Sequence, residues 1–293
     1  MERMVEKIAT IIREEFPEIG EFHLEEREVF KTNRAITGIT LVTKENQICP
    51  TVYPPATYDP GIAKKLAYAL VDGVKSTAKI GEDINAIRDF AKCREKILCF
   101  AVNTAKNKNY IANRPYIDRG ELAECFYLPF KNEEMGEGTI MVTDAMMKAW
   151  GATPELLHTC AEENIKRDLV MDPLASALEA MGMGMELEMT PPPVMVCTTR
   201  TKTNGAGIIF FPHLLREKLG TEDEYYIIPS SIHEILLFPK QETEAEDVEM
   251  ERDHLKKMIF EVNRTALAPE EFLSDNLFCL EGDFLSDLGC FQP

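Results

Sequence analysis

Residues 225–239 read YYIIPSSIHEILLFP, a short polar cluster between two apolar runs rich in β-branched and aromatic side chains. Such runs favour strands, and the Pro-Ser-Ser segment between them favours a turn. We therefore predict a hairpin with strands at Tyr225–Ile228 and Glu234–Phe238 and a turn at Pro229–Ile232. A hairpin of this kind indicates a fold built on antiparallel sheets.

The sequence before the hairpin contains patterns typical of helices and of strands. Apolar residues recur at helical spacing from Val5 to Phe16, and Pro17 ends that pattern. Residues 22–53 contain three β-like pieces separated by turn residues, which predict a small antiparallel meander. Further helix starts are predicted at Asp59-Pro60, at Thr143 or Asp144, and at Thr153-Pro154.

The order of these elements indicates an α+β protein, mainly antiparallel sheets flanked by helices. A polar joint at residues 131–138 favours two lobes, residues 1–132 and residues 138–293, which together form one unit. Leu277–Leu280 is predicted to be a last edge strand, and the residues from Gly282 onward carry little pattern.

The charge balance is the least ordinary property of the composition. The chain has 50 acidic and 32 basic residues, a formal net charge of −18. This disfavours nucleic acid as a partner, because binding to the phosphate backbone requires clustered Lys and Arg. The negative charge equally disfavours binding to an anionic membrane surface. An acidic surface that keeps the protein soluble is the simplest interpretation, and a protein that mimics nucleic acid is the sharper alternative.

Several features favour the cytoplasm. The N-terminal residues carry charges of both signs and are not followed by the apolar segment of an export signal. The longest apolar runs are far shorter than the roughly 20 residues that a membrane helix needs. The 8 cysteines are scattered, most of them within apolar runs, and no Cys-x-x-Cys occurs. Buried free thiols in a reducing compartment are the expected outcome.

Ser231, His233 and Glu234 are the candidates for hydrolase-like catalysis. In a strand, residues two apart share a face but lie nearly 7 Å apart, so Ser231 and His233 are not an obvious hydrogen-bonded pair. Glu234 would point to the opposite face and would not orient the ring of His233. We therefore assign no catalytic residue, and we expect the serines to cap a tight turn while His233 donates to a carbonyl.

Asn204, Gly205 and Ser230 are the candidates for ligand binding. The turn at Thr203–Gly207 carries two glycines and follows a predicted strand, an arrangement that can cradle an anion. A plain turn explains the same residues. If the fold brings this turn to the Ser230–Glu234 loop, the two segments would line one end of the sheet.

No metal site and no cofactor is predicted. His233-Glu234 begins like a zinc-protease motif, but Leu237 stands where the second histidine would be. The other histidines are far apart in sequence and show no ligand spacing. The Met181–Gly184 stretch lacks the third glycine of a dinucleotide-binding loop.

Five blocks of the sequence resemble a domain-of-unknown-function family common in gut clostridia. They are Ile111–Asp118, Trp150–Leu157, Gly205–Pro212, Ile228–Glu234 with its Pro-Ser-Ser-x-His-Glu motif, and Glu261–Thr265. The likeness runs from about residue 20 to about residue 280. The resemblance implies a single unit in a bacterial cytosol, and it implies no catalytic assignment.

Two functions are therefore expected from the sequence. The first is a non-catalytic interaction or regulatory protein with an unknown protein partner. The alternative is a small-molecule-binding protein or a hydrolase-like enzyme with its site near Ser230–Glu234. An enzyme would need a carboxylate from a distant segment beside His233.

Overall fold

The computed structural model describes residues 2–44, 49–55, 60–79, 86–132, 136–180, 194–241 and 245–292. The α+β architecture is confirmed, with antiparallel sheets and flanking helices. The chain divides into two compact units: Met1–Phe90 with Lys131–Gly138, and Ala91–Phe130 with Thr139–Pro293. Asp59 and the Met181–Gly184 stretch lie outside the described residues.

The first unit is a three-stranded sheet with two helices on one face. Apolar side chains of both helices and of the middle strand are buried together, among them Ile8, Ile12, Leu41 and Leu70. The strands are antiparallel in the order β1-β2-β3, so the predicted meander is confirmed. In chain order the elements are α1 (Glu2–Glu15), β1 (Phe22–Lys31), β2 (Arg34–Thr43), β3 (Thr51–Val52) and α2 (Pro60–Lys79).

The second unit contains a four-stranded and a six-stranded sheet. The elements that follow α2 are α3 (Phe90–Cys93), β4 (Leu98–Asn103), α4 (Lys108–Ile111), β5 (Tyr116–Arg119), β6 (Leu122–Asn132), β7 (Gly136–Met141), α5 (Asp144–Trp150), α6 (Pro154–Asp168), β8 (Leu169–Pro173), α7 (Leu174–Ala180), β9 (Met195–Thr199), α8 (Pro212–Leu219), β10 (Tyr225–Ile228), β11 (Ile235–Pro239), α9 (Ala245–Thr265), β12 (Phe278–Glu281) and β13 (Phe284–Asp287). Short 3-10 helices lie at Gly205–Phe210 and Pro269–Glu271.

The six-stranded sheet has the order β13-β12-β10-β11-β9-β8 and contains the predicted hairpin at its centre. Strands β10 and β11 pair antiparallel, with Ile228 opposite Leu236. Helix α9 covers one face of this sheet, where Leu255 and Ile259 pack against Tyr226. The edge position predicted for the strand at Leu277–Leu280 is wrong, because β13 pairs outside β12.

In the four-stranded sheet, β6 pairs with β4, β5 and β7. Helix α6 is fixed to this sheet by Asn164, whose side-chain amide donates to the carbonyls of Arg94 and Ile97, each at 2.8 Å. Residues 91–130 belong to the second compact unit, and the lobes 1–132 and 138–293 stay a prediction.

Helices α5 and α6 begin where their capping residues predict. The hydroxyl of Thr143 accepts a hydrogen bond from the backbone N–H of Met146, and Thr153 does the same for Leu156. Gly151 ends α5 with a φ of 64°, a conformation that glycine adopts without a steric penalty. None of the helices in the described ranges is long and apolar enough to span a membrane.

Candidate functional site

Ser231 caps the loop between β10 and β11. Its Oγ accepts a hydrogen bond from the backbone N–H of His233 at 3.0 Å, and its own N–H donates to the carbonyl of Glu234 at 3.3 Å. The residue is only 7% exposed. The hydroxyl therefore serves the backbone of its own loop, as expected of a turn serine.

The ring of His233 meets the turn that carries Asn204. The backbone N–H of Asn204 donates to Nδ1 of His233 at 3.2 Å. Asn204 holds a left-handed conformation, with a φ of 58°, and Thr198 Oγ1 donates to the carbonyl of His233 at 2.8 Å. Because Nδ1 accepts, the neutral ring carries its proton on Nε2. The expectation that His233 donates to a carbonyl is wrong for Nδ1.

Gly205 and Gly207 allow two chain segments to approach closely. A Cβ atom at Gly205 would lie 2.5 Å from the carbonyl oxygen of His233 and 2.6 Å from the Cα of Thr198. At Gly207 it would lie 2.6 Å from the carbonyl oxygen of Cys99. The space beside both glycines is therefore filled by the protein's own backbone, which explains them without a bound anion.

The side chain of Asn204 reaches a buried tyrosine. It lies near the hydroxyl of Tyr127, a residue that is 2% exposed. Burial raises the pKa of that hydroxyl, and the Asn204 side chain opposes the shift. Glu234 and Ser230 are half-buried. In the described ranges, no contact joins the carboxylate of Glu234 or the hydroxyl of Ser230 to the ring of His233.

The structure contains a second polar cluster, which was not predicted from the sequence. Glu124 of β6 is fully buried, and its Oε1 lies 2.7 Å from Nδ1 of His158 on α6. Its Oε2 accepts hydrogen bonds from Nη2 and Nε of Arg119 on β5, at 2.8 and 3.2 Å. The ring of His158 stacks on Phe211, with centroids 4.8 Å apart. The available signal was a lone carboxylate inside the apolar run Leu122–Leu128.

Three groups able to bind a metal meet near the start of β10 and the end of β12. Glu224, Cys279 and Glu281 place one ligand-type atom each within 4.8 Å of one another. Burial raises the pKa of the Cys279 thiol to about 11, with Glu281 adding to the shift. Lys240 already forms an ion pair with Glu224. The cluster as it stands is therefore a protonated thiol between carboxylates, one of which is neutralised by a lysine.

Comparison with known proteins gives one match. Neither the curated proteins nor the solved structures contain a match to this chain. A family model described as a family of unknown function (DUF5688) matches residues 1–281, nearly the whole chain and all the residues of the three clusters described above. The chain belongs to this family of unknown function.

Proposed function

We propose that the protein is a non-catalytic interaction or regulatory protein of the bacterial cytoplasm. The strongest support is that polar side-chain atoms of the β10–β11 loop form hydrogen bonds with the backbone. Ser231 Oγ bonds the backbone of His233, and Nδ1 of His233 bonds the backbone of Asn204. Groups committed to backbone hydrogen bonds hold a loop in place and are poorly available for nucleophilic attack or proton transfer.

The partner is expected to be a protein with a basic surface. A net charge of −18 attracts such a surface over a distance of about one Debye length and repels nucleic acids and anionic membranes. An electrostatic contribution of this kind chiefly sets the association rate and weakens as salt is added. Salt dependence is therefore the property by which a partner of this class is recognised.

The alternative remains a small-molecule-binding protein or a hydrolase-like enzyme with its site at Ser230–Glu234. It would use Nε2 of His233, the ring nitrogen that does not bond Asn204. It also needs a substrate that brings Ser230 or Glu234 into contact with that nitrogen, since no contact in the described ranges does so. The two proposals differ in what the purified protein should carry.

Native mass spectrometry on protein purified from its native cells distinguishes them. We expect the mass of the bare chain together with species that contain additional whole protein chains, and we expect those species to dissociate at high ionic strength. The denatured mass of the same sample is the control. An organic molecule of metabolite size, retained in stoichiometric amount, would contradict the interaction proposal and favour the alternative.

A further inference from the structure

We propose that His158, Arg119 and Glu124 form a binding site for a small carboxylate or phosphate anion, and that the anion binds together with one proton. This site is distinct from the β10–β11 loop and goes beyond the function proposed above. Three properties of the cluster support this site: its fixed geometry, the ring and guanidinium nitrogens that it leaves unused, and its charge.

The buried carboxylate fixes the positions of both cationic side chains. Glu124 lies on the central strand β6, opposite Ala101 of β4 and Ile117 of β5, and none of its surface is exposed. A carboxylate at such a position persists only with charged or hydrogen-bonding partners. Arg119 and His158 supply them, at 2.8 and 2.7 Å. Both side chains are therefore held in one orientation before any ligand arrives.

Each of these partners keeps one unused nitrogen. Nδ1 of His158 faces Glu124, so Nε2 lies on the other side of the ring, and the side chain is 24% exposed. Arg119 uses Nε and Nη2 for Glu124, which leaves Nη1, and its side chain is 38% exposed. In the described part of the chain, neither Nε2 nor Nη1 has a hydrogen-bond partner. The two side chains are neighbours, with Nη2 of Arg119 3.4 Å from Nδ1 of His158. A guanidinium next to a protonated imidazole is a pair of donor groups that binds carboxylates and phosphates.

The charge of the cluster couples binding of the anion to protonation of His158. Glu124 and Arg119 neutralise each other, so the cluster is neutral while His158 is neutral. A neutral ring with its proton on Nδ1 offers only a lone pair at Nε2, which repels an anion. Protonation of Nε2 supplies the second donor and a charge of +1, which the anion then balances.

The remaining ionisable groups around His158 permit this arrangement. On α6, Glu155 and Glu162 lie about one turn to either side, and Glu162 already pairs with His213 of α8 at 2.9 Å. On β4, the Cys99 thiol is buried behind Glu124, and burial raises its pKa well above the usual value, so it stays neutral. The pKa of the Glu155 carboxyl is lowered, first by its own backbone N–H and then by the side chain of Thr153.

Isothermal titration calorimetry with inorganic phosphate and, separately, with acetate tests the proposal. The titrations are run at several pH values, each in two buffers of different ionisation enthalpy. We expect saturable one-to-one binding with uptake of up to one proton per anion. Tighter binding of phosphate than of acetate would identify a phosphate site, and the reverse order a carboxylate site. The high net negative charge keeps non-specific anion binding low.

His158→Gln and His213→Gln form a matched pair of variants. His158→Gln should weaken binding about tenfold or more and abolish the proton uptake, because it removes one charged donor. His213→Gln removes the histidine that pairs with Glu162. It should change neither the affinity for the anion nor the proton uptake. Binding that is absent from the unmodified protein, or that survives His158→Gln with its proton uptake intact, would overturn the proposal.

A second measurement covers the case in which His158→Gln does not fold. In the unmodified protein, the ring resonances of His158 should titrate at higher pH with saturating phosphate than without it, while those of His213 should not move. An unchanged titration of His158 in the presence of phosphate would overturn the proposal without any variant.

Discussion

Replacing Glu124 by alanine is expected to lower the free energy of unfolding by about 3–5 kcal/mol. The substitution removes a fully buried carboxylate and leaves Arg119 and His158 without the group that both of them contact at less than 3 Å. Removing one partner of a buried charge cluster costs more than the cluster contributes, because the remaining charge loses its compensation. Urea unfolding at neutral pH measures the loss.

Glu217→Ala is the matched control for this experiment. Glu217 also forms a 2.7 Å ion pair, with Lys166, but its side chain is 59% exposed. Exposed pairs of this kind contribute about 0–1 kcal/mol. A loss at Glu124 no larger than the loss at Glu217 would show that water reaches the cluster, and the pre-organised anion site would then lose its physical basis.

Gly205→Ala is expected to lower the free energy of unfolding by about 1–3 kcal/mol or more. The new methyl group would lie 2.5–2.6 Å from the carbonyl oxygen of His233 and from two atoms of Thr198. Two of these atoms belong to the backbone, so the clash is relieved only by separating the two segments. The Asn204–His233 hydrogen bond should break as they separate.

Gly138→Ala is the control, because a Cβ at Gly138 meets no atom within 4 Å. Its unfolding free energy should stay close to that of the unmodified protein. Thermal and urea unfolding of the two variants, compared side by side, measure the difference. If Gly205→Ala were as stable as Gly138→Ala, the turn at Thr203–Gly207 would have free space, and the interpretation of this turn as an anion cradle would be favoured.

Local patterns in the sequence predicted much of the fold. The hairpin at β10 and β11, the meander at residues 22–53 and the starts of α5 and α6 depend on neighbouring residues alone: strand formers, turn residues, and the caps Thr143 and Thr153. Each of these elements is determined by a few neighbouring residues, so it can be predicted from the sequence alone.

The features that the sequence did not predict depend on distant residues. Strand β12 is internal because β13 pairs with it, and β13 follows Gly282 in a segment with little hydrophobic pattern. Asn164 bonds the carbonyls of Arg94 and Ile97, which lie 70 and 67 positions away. The contact between Glu124 and His158 joins residues that are 34 positions apart.

The candidate site shows the same division. The sequence identified the loop residues Ser231 and His233 and the turn residue Asn204, and it raised the possibility that the two segments meet. It did not predict the direction of the Asn204–His233 hydrogen bond, because a histidine ring nitrogen can donate or accept, and the choice depends on which backbone group faces it. That direction distinguishes a structural histidine from a chemically available one.

The central claim is that His233 is a structural residue and that His158 keeps a free nitrogen. A long-range 1H–15N NMR spectrum of the histidine rings tests this claim most directly. The rings are assigned with single His→Gln variants. We predict opposite tautomers for the two neutral rings: the proton on Nε2 in His233, whose Nδ1 accepts from Asn204, and on Nδ1 in His158, which donates to Glu124. A proton on Nδ1 of His233, or an exchanging mixture of its two tautomers, would contradict the account.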